Sequence, residues 1–321
     1  MRATNASYGM VAGAGIVLVV ATALISGVST FVNAYAVAGT NSNAFVTMRN
    51  LAVALMIVPL FLLATSGRRT SLRRQDWARL VTIGLIGGAI PFLLFFRGLQ
   101  LATEAHGAAT ASFLYRTLFL MAAVLGVVYL KEKFHWRIAL AAGLLLAGNF
   151  LLLSLVSPVW TDGSLYVLAA TALWAAEYSI SKRTLRDLPS STVALGRMGF
   201  GAVFLVAYLG LTGEFAAVAG MSSGQWVWVG ISAVLLTAFV ATWYAGLARV
   251  DLGVATSVLV LGFPVTFVLS ALVQGAKFTL PEAIGAGVVV AGVAIAIGRT
   301  LFRDTWSFLR ASVASQARSP A

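Results

Sequence analysis

The chain has no cysteine. That excludes disulfides and thiolate metal sites, so the redox environment leaves no trace. Charge is scarce too: Asp, Glu, Lys and Arg make up 10% of the residues, against about 25% in soluble domains. The two histidines, His106 and His135, lie far apart. There is no HExxH and no Walker loop, and GAGIVLVV near the start lacks the βαβ setting of a dinucleotide fingerprint. No catalytic residue, cofactor or metal is expected, and no nucleotide-driven pumping by this chain alone. Long polar stretches are rare as well. SGRRTSLRRQDWAR (Ser66 to Arg79) and the segment from Arg303 are the two of any length, which leaves little room for a soluble catalytic or receptor domain.

What fills the chain is apolar sequence, 60% of the 321 residues. Runs of roughly 20 apolar residues are what a helix needs to cross about 30 Å of hydrocarbon. They fall near 10–36, 44–64, 77–99, 107–130, 137–156, 164–182, 192–212, 225–247, 253–274 and 282–302. Membrane barrels show short segments of alternating polarity, and these runs are continuous. The expected fold is an all-α membrane protein of ten transmembrane helices. AYA (Ala34 to Ala36) imitates a signal cleavage site, but the run before it exceeds the ~7–15 residues of a signal core.

The formal charge is +12, and its distribution points to topology rather than to nucleic acid, which is not an expected partner. With the N-terminus inside, 17 of the 22 basic residues fall in cytoplasmic segments, and Lys277 alone in an outer loop. The other four, Arg49, Arg97, Arg116 and Arg197, fall within spans. Such asymmetry is the positive-inside signal. It places both termini in the cytoplasm of a multi-pass inner-membrane protein whose basic loops meet membrane lipid.

The chain also repeats itself. ATAL at Ala21–Leu24 recurs at Ala170–Leu173, Arg49 recurs as Arg197, and Gly98-Leu99 as Gly246-Leu247. Phe134 and Gly148 correspond to Phe278 and Gly292. Two five-helix copies follow, residues 10–156 and 164–302, with 303–321 as a cytoplasmic tail. Because five is odd, the copies have opposite orientations, an arrangement from which many secondary transporters are built.

In these features the sequence resembles the EamA-type transporters of the drug/metabolite transporter superfamily. The arginine of the second helix, the Gly-Leu pair of the third, Glu132 in the turn LKEKF, Pro264 in a fourth helix and the G/A-rich fifth helices carry the resemblance. Three positions depart from it: Phe119 stands where Pro264 predicts proline, Ala276 where Glu132 predicts glutamate, and Ile25 where the first helix usually has tryptophan. The missing proline removes the usual cause of a helix break from the first copy. The resemblance implies transport of small metabolites or drugs through a central cavity walled by the first, third and fourth helices of each repeat. It fixes no substrate.

Helical positions i, i+3, i+4 and i+7 share a face. In the fourth span that face is Ser112, Tyr115, Arg116 and Phe119; in the sixth, Trp174, Glu177, Tyr178 and Ser181; in the first, Ser26, Ser29, Thr30 and Asn33. Trp243 and Tyr244, matched by Phe95 and Phe96, add aromatic surface. The expected substrate-binding residues are Arg116, Glu177, Tyr115, Ser112, Trp174, Tyr178, Asn33, Thr30, Trp243 and Tyr244. For the hydroxyls, bonding back to their own backbone is an equal reading. Arg49 and Arg197 lie toward span ends and read as structural. Arg116 and Glu177 are costly against lipid, by about 2.5–3.5 kcal/mol for arginine at a helix centre. Either they pair and lock helices, or they bind substrate or carry a coupling proton. A guanidinium, a carboxylate and aromatic walls would suit an amino acid, or another small carboxylate if Arg116 acts alone. The rival classes are a membrane-embedded enzyme and a membrane protein that transports nothing.

Overall fold

The computed structural model describes residues 2–36, 40–65, 72–105, 108–153, 159–275 and 279–316. Arg68, Arg69, His106, Ala276, Lys277, Phe278 and Arg318 lie outside them. The described residues form helices joined by turns, with no strand among them. In order these are α1 (Arg2–Ala36), α2 (Ser42–Thr65), α3 (Arg74–Ile83), a π-helical segment (Gly84–Ala89), α4 (Ile90–Glu104), α5 (Ala108–Arg116), α6 (Leu118–Val128) and α7 (Trp136–Leu152). There follow α8 (Asp162–Thr184), α9 (Ser190–Thr212), the short α10 (Phe215–Ala219), α11 (Ser223–Leu247), α12 (Leu252–Leu259), α13 (Gly262–Gln274) and α14 (Leu280–Gln316).

Continuous apolar sequence leaves the backbone no partner but itself, and a helix satisfies every N–H and C=O within the segment. Polar residues mark the ends. Thr161 and Ser164 form a reciprocal cap at the start of α8, and Ser222 and Gln225 do so at α11. Gly213 and Gly275, at φ of 72° and 68°, close α9 and α13 in the left-handed conformation that glycine adopts freely. Among the described residues, eight stretches are long and apolar enough to cross a membrane. The two expected spans outside that set are α7, which has 17 residues, and α8, which carries Asp162, Glu177, Lys182 and Arg183. Of the expected cytoplasmic tail, residues 303–316 are described, and they are helical. Helix α14 turns at Gly298 (φ 69°) and continues to Gln316, and its Asp304 backbone lies against Gly13 of α1.

The two halves are interleaved. α1 packs on α11, α12 and α13, and α8 packs on α4, α5 and α6. The first helix of each half thus lies against the third and fourth helices of the other. α2 packs on α9, and α7 on α14, where Gly148 and Gly285 bring the backbones together. The buried core runs through both halves, from Ile16 and Val19 in α1 to Val289 in α14.

Both fourth helices are broken at mid-length. Between α12 and α13, Val260, Leu261 and Phe263 donate to carbonyls three residues back, and Pro264 enters the first turn of α13, where its missing N–H costs nothing. Between α5 and α6 the break occurs without proline. Thr117 donates its backbone N–H (3.1 Å) and its hydroxyl (2.7 Å) to the Leu114 carbonyl, which closes a tight turn at that point.

Candidate functional site: a cavity lined by three arginines

The third helix of the first half supplies the framework. In the π turn of Gly84–Ala89, Ile90 donates to the Leu85 carbonyl five residues back. Two carbonyls of the widened turn are taken by side chains. Gly87 O accepts from Trp174 Nε1 and from Arg197 Nη2, both at 3.1 Å. Gly88 O accepts from Asn50 Nδ2 at 3.2 Å, and Asn50 Oδ1 accepts from Arg49 Nε and Nη2, each at 3.2 Å. A Cβ on Gly87 would collide with the Glu177 side chain, and one on Gly88 with the backbones of Arg197 and Gly201. Glycine at these positions is what lets the turn wedge between α8 and α9.

That wedge fixes two arginines at the wall of a cavity of about 350 Å3. Arg49 and Arg197 are each the eighth residue of their helices, α2 and α9. Arg49 is surrounded by rings, its guanidinium carbon 5.0 Å from the centre of Phe92 and 5.9 Å from those of Phe45 and Phe96. The third arginine, Arg116, ends α5 at the break, where free carbonyls favour a cation. Its guanidinium lies over Phe263, at the other broken helix, and its buried Nε has no hydrogen-bond partner.

Seven of the ten expected site residues line this cavity: Arg116, Tyr115, Ser112, Trp174, Tyr178, Asn33 and Thr30. Tyr115, Phe95 and Trp174 form one cluster with ring centres 5.0–5.5 Å apart. Thr30 bonds back to the Ser26 carbonyl, and Asn33 Oδ1 accepts from Ser232 at 2.6 Å. Glu177, Trp243 and Tyr244 do not reach the lining. All three have no exposed surface. Trp243 lies behind Phe239, stacked at 6.3 Å, and Tyr244 donates to Glu177 Oε1 at 2.6 Å. Glu177 accepts from Ser181 at the same oxygen, and its Oε2 is 3.6 Å from Arg197 Nε, an ion pair too long for a hydrogen bond. Its partner is therefore Arg197 and not Arg116.

Read as structural, Arg49 and Arg197 in fact do both things, holding the π turn and lining the cavity. The signal was their recurrence at one offset in both halves. Phe92 was also missed, although Phe92, Phe95, Phe96 and Leu99 form a complete helical stripe, and all four line the cavity.

At one end the cavity meets a vestibule of about 1100 Å3, with Phe96 and Leu99 shared between them and Asn41, Asn43, Glu104 and Glu214 on its wall. α11 starts at this end, where Gln225 bonds Thr40, and finishes at the other. There Lys182 Nζ donates to the carbonyls of Leu247 (2.8 Å) and Val250 (2.7 Å). Glu132 accepts the Leu252 N–H at 2.9 and 3.1 Å, capping α12 across the two halves. Burial pushes the Glu132 carboxyl above its ordinary value, and the Leu252 N–H and Lys182 offset this only in part.

Interleaved halves of apolar helices enclosing a solute-sized, polar-lined cavity make a multi-pass membrane protein of transporter type. The sequence model of the EamA-like transporter family matches residues 13–154 and 161–298. The chain belongs to that family, as two successive copies, and is a membrane transporter. Comparison with curated protein sequences finds no match. One solved crystal structure is similar over 88% of this chain and 96% of its own, with 18% sequence identity and a TM-score of 0.68, which speaks for the fold alone.

Proposed function

We propose that the protein is a secondary transporter or facilitator of the cytoplasmic membrane that carries a small, carboxylate-bearing organic metabolite by alternating access. Its units are two inverted five-helix repeats, residues 10–156 and 164–302, giving ten spans with both termini in the cytoplasm. The observation that carries this reading is a cavity lined by the first four helices of both halves, the second helices adding Arg49 and Arg197 to the expected walls, with both fourth helices broken beside it. Discontinuous helices at a midplane site are how transporters present free backbone groups and charges to a solute. The vestibule then faces outside, and the end tied by Glu132 and Lys182 faces the cytoplasm. Rocking would break the Glu132 cap on α12 and close the vestibule.

The test is uptake by proteoliposomes holding the purified chain, under imposed solute and pH gradients, so that facilitated diffusion and proton coupling are separated. Orientation is read from single cysteines in the cysteine-free chain. Those at Ser42, Thr161 and Ser222 should react with an impermeant reagent outside intact cells, and one at Ser190 should not. Carboxylate flux no higher than in empty liposomes under every imposed gradient would end the carboxylate-carrier reading, and labelling at Ser190 but not Ser42 would invert the topology.

A further inference from the structure

The charge on the cavity wall is one-sided. Arg49, Arg116 and Arg197 line it, and among the described residues no carboxylate does. Glu177 offsets Arg197 from behind, at 3.6 Å and with no exposed surface. Arg49 and Arg116 have no anion beside them among the described residues, in the middle of a bundle of apolar helices where a charge is tolerated only when a partner or water meets it. Buried donors also wait for acceptors: Arg197 Nη1 and Arg116 Nε have no hydrogen-bond partner, although buried polar groups nearly always have one.

Rings join the cationic positions. From the Arg49 guanidinium it is 5.0 Å to the centre of Phe92, from Phe92 5.3 Å to Trp174, and from Trp174 5.5 Å to Tyr115, the chain neighbour of Arg116. A flat apolar body would lie against such a strip, and its anionic groups would reach the guanidiniums. An ammonium would find like charge, since the one nearby carboxylate is closed off by Arg197, Ser181 and Tyr244. The volume, about 350 Å3, is at the small end of ligand pockets, which run from about 300 to 1,000 Å3. That is room for a body of one or two rings.

We infer that the cavity binds a small aromatic acid carrying two anionic groups and no ammonium. This rests on the same cavity that the transporter reading uses and narrows its substrate class. It also sets aside the amino-acid reading, which needed Glu177 on the wall.

The test is equilibrium binding to the full chain in detergent, followed by quenching of tryptophan fluorescence, with isophthalate, benzoate, phenylalanine and benzylamine as probes. Isophthalate should bind at least tenfold tighter than benzoate, and phenylalanine and benzylamine more weakly than benzoate. Arg116→Gln removes a side chain that makes no hydrogen bond or ion pair among the described residues, so the variant should fold, and it should bring isophthalate down to the level of benzoate. Equal affinity for isophthalate and benzoate, tightest binding of phenylalanine or benzylamine, an unchanged ratio in Arg116→Gln, or no binding of any probe would each overturn the inference. Flux separates the two readings. Isophthalate that binds but is never carried into proteoliposomes leaves the site assignment standing and removes the transporter; a carried cation or neutral solute does the reverse.

Discussion

Glu177→Gln gives opposite results depending on what Glu177 is for. Glutamine keeps the size of the side chain and an oxygen for Ser181 and Tyr244, but it removes the charge 3.6 Å from Arg197 Nε. Truncating one partner of a buried ion pair costs about 3–5 kcal/mol. Here the hydrogen bonds survive and Arg197 keeps Gly87 O, so a loss of about 2 kcal/mol is expected. That lowers the melting temperature by roughly 4–8 °C on the scaling of a few degrees per kcal/mol. The effect on binding has the other sign. Taking a bound anion to lie about 8 Å from the carboxylate, on the far side of Arg197, Coulomb repulsion at an effective dielectric near 20 is roughly 2 kcal/mol, and water in the open cavity reduces this to about 1 kcal/mol. Glu177→Gln should therefore melt earlier yet bind isophthalate about fivefold tighter, read by differential scanning fluorimetry and by fluorescence quenching on the same sample. If Glu177 received a substrate ammonium or carried the coupling proton, the variant would instead lose amino-acid binding or pH-driven flux. A Glu177→Gln protein with unchanged melting and weaker anion binding would refute the arrangement described.

Three further outcomes follow from the packing. Gly87→Ala places a methyl inside the Glu177 side chain and should cost about 1–3 kcal/mol, whereas Gly143→Ala, with open space around it, should melt with the parent; equal melting of both variants would contradict the wedge. Thr117→Val removes the hydroxyl that holds the break of the first fourth helix, and should cost about 1 kcal/mol and weaken anion binding at the adjacent Arg116; no change in either would take Thr117 out of the break. Burial raises the Glu132 pKa in the closed end; opening that end to water would remove the cause, so on the alternating-access proposal the closed form binds the proton more tightly. The closed form should gain as pH falls through the window above the ordinary carboxylate range and lose as pH rises through it. Labelling of a cysteine at Ser257, buried in α12, divided at each pH by the rate of a freely exposed cysteine to remove the thiolate contribution, should accordingly speed up with rising pH in the parent and show no such trend in Glu132→Gln; a flat normalised profile in the parent would refute the role.

Most of the bundle was legible because apolar length alone sets a membrane helix, and two copies of one pattern set the halves. The four-residue stripes read in α1 and in the fourth span, the latter running from α5 across the break to Phe119 in α6, all line the cavity. It failed in α8, where Trp174 and Tyr178 face the cavity while Glu177 turns behind them: a face spans an arc, and which edge of the arc meets open space depends on the neighbouring helix. Distance along a span misled for Arg49 and Arg197, since depth is measured against a neighbour, here the π turn, and not against the ends of the helix. The Thr117 break had no proline to announce it; a hydroxyl bonding back three residues does the same work with no sequence signal beyond a lone threonine. GLIGGA showed only small residues, and an extra residue per turn has no letter of its own.

The π turn makes the two halves permanently unequal. Inserting one residue into a turn rotates everything beyond it by roughly 100°, so Ile90–Glu104 presents a face that an unbroken helix would have pointed elsewhere. α11, its counterpart, runs unbroken from Ser223 to Leu247. The rings at Phe95 and Phe96 thus face the cavity, while their counterparts in the second half, Trp243 and Tyr244, are buried, Trp243 behind Phe239. A carrier built this way would not be a seesaw with equal arms: its outward and inward forms would hold the same solute with different grips, and the difference between those grips would set which of the two forms the loaded carrier rests in.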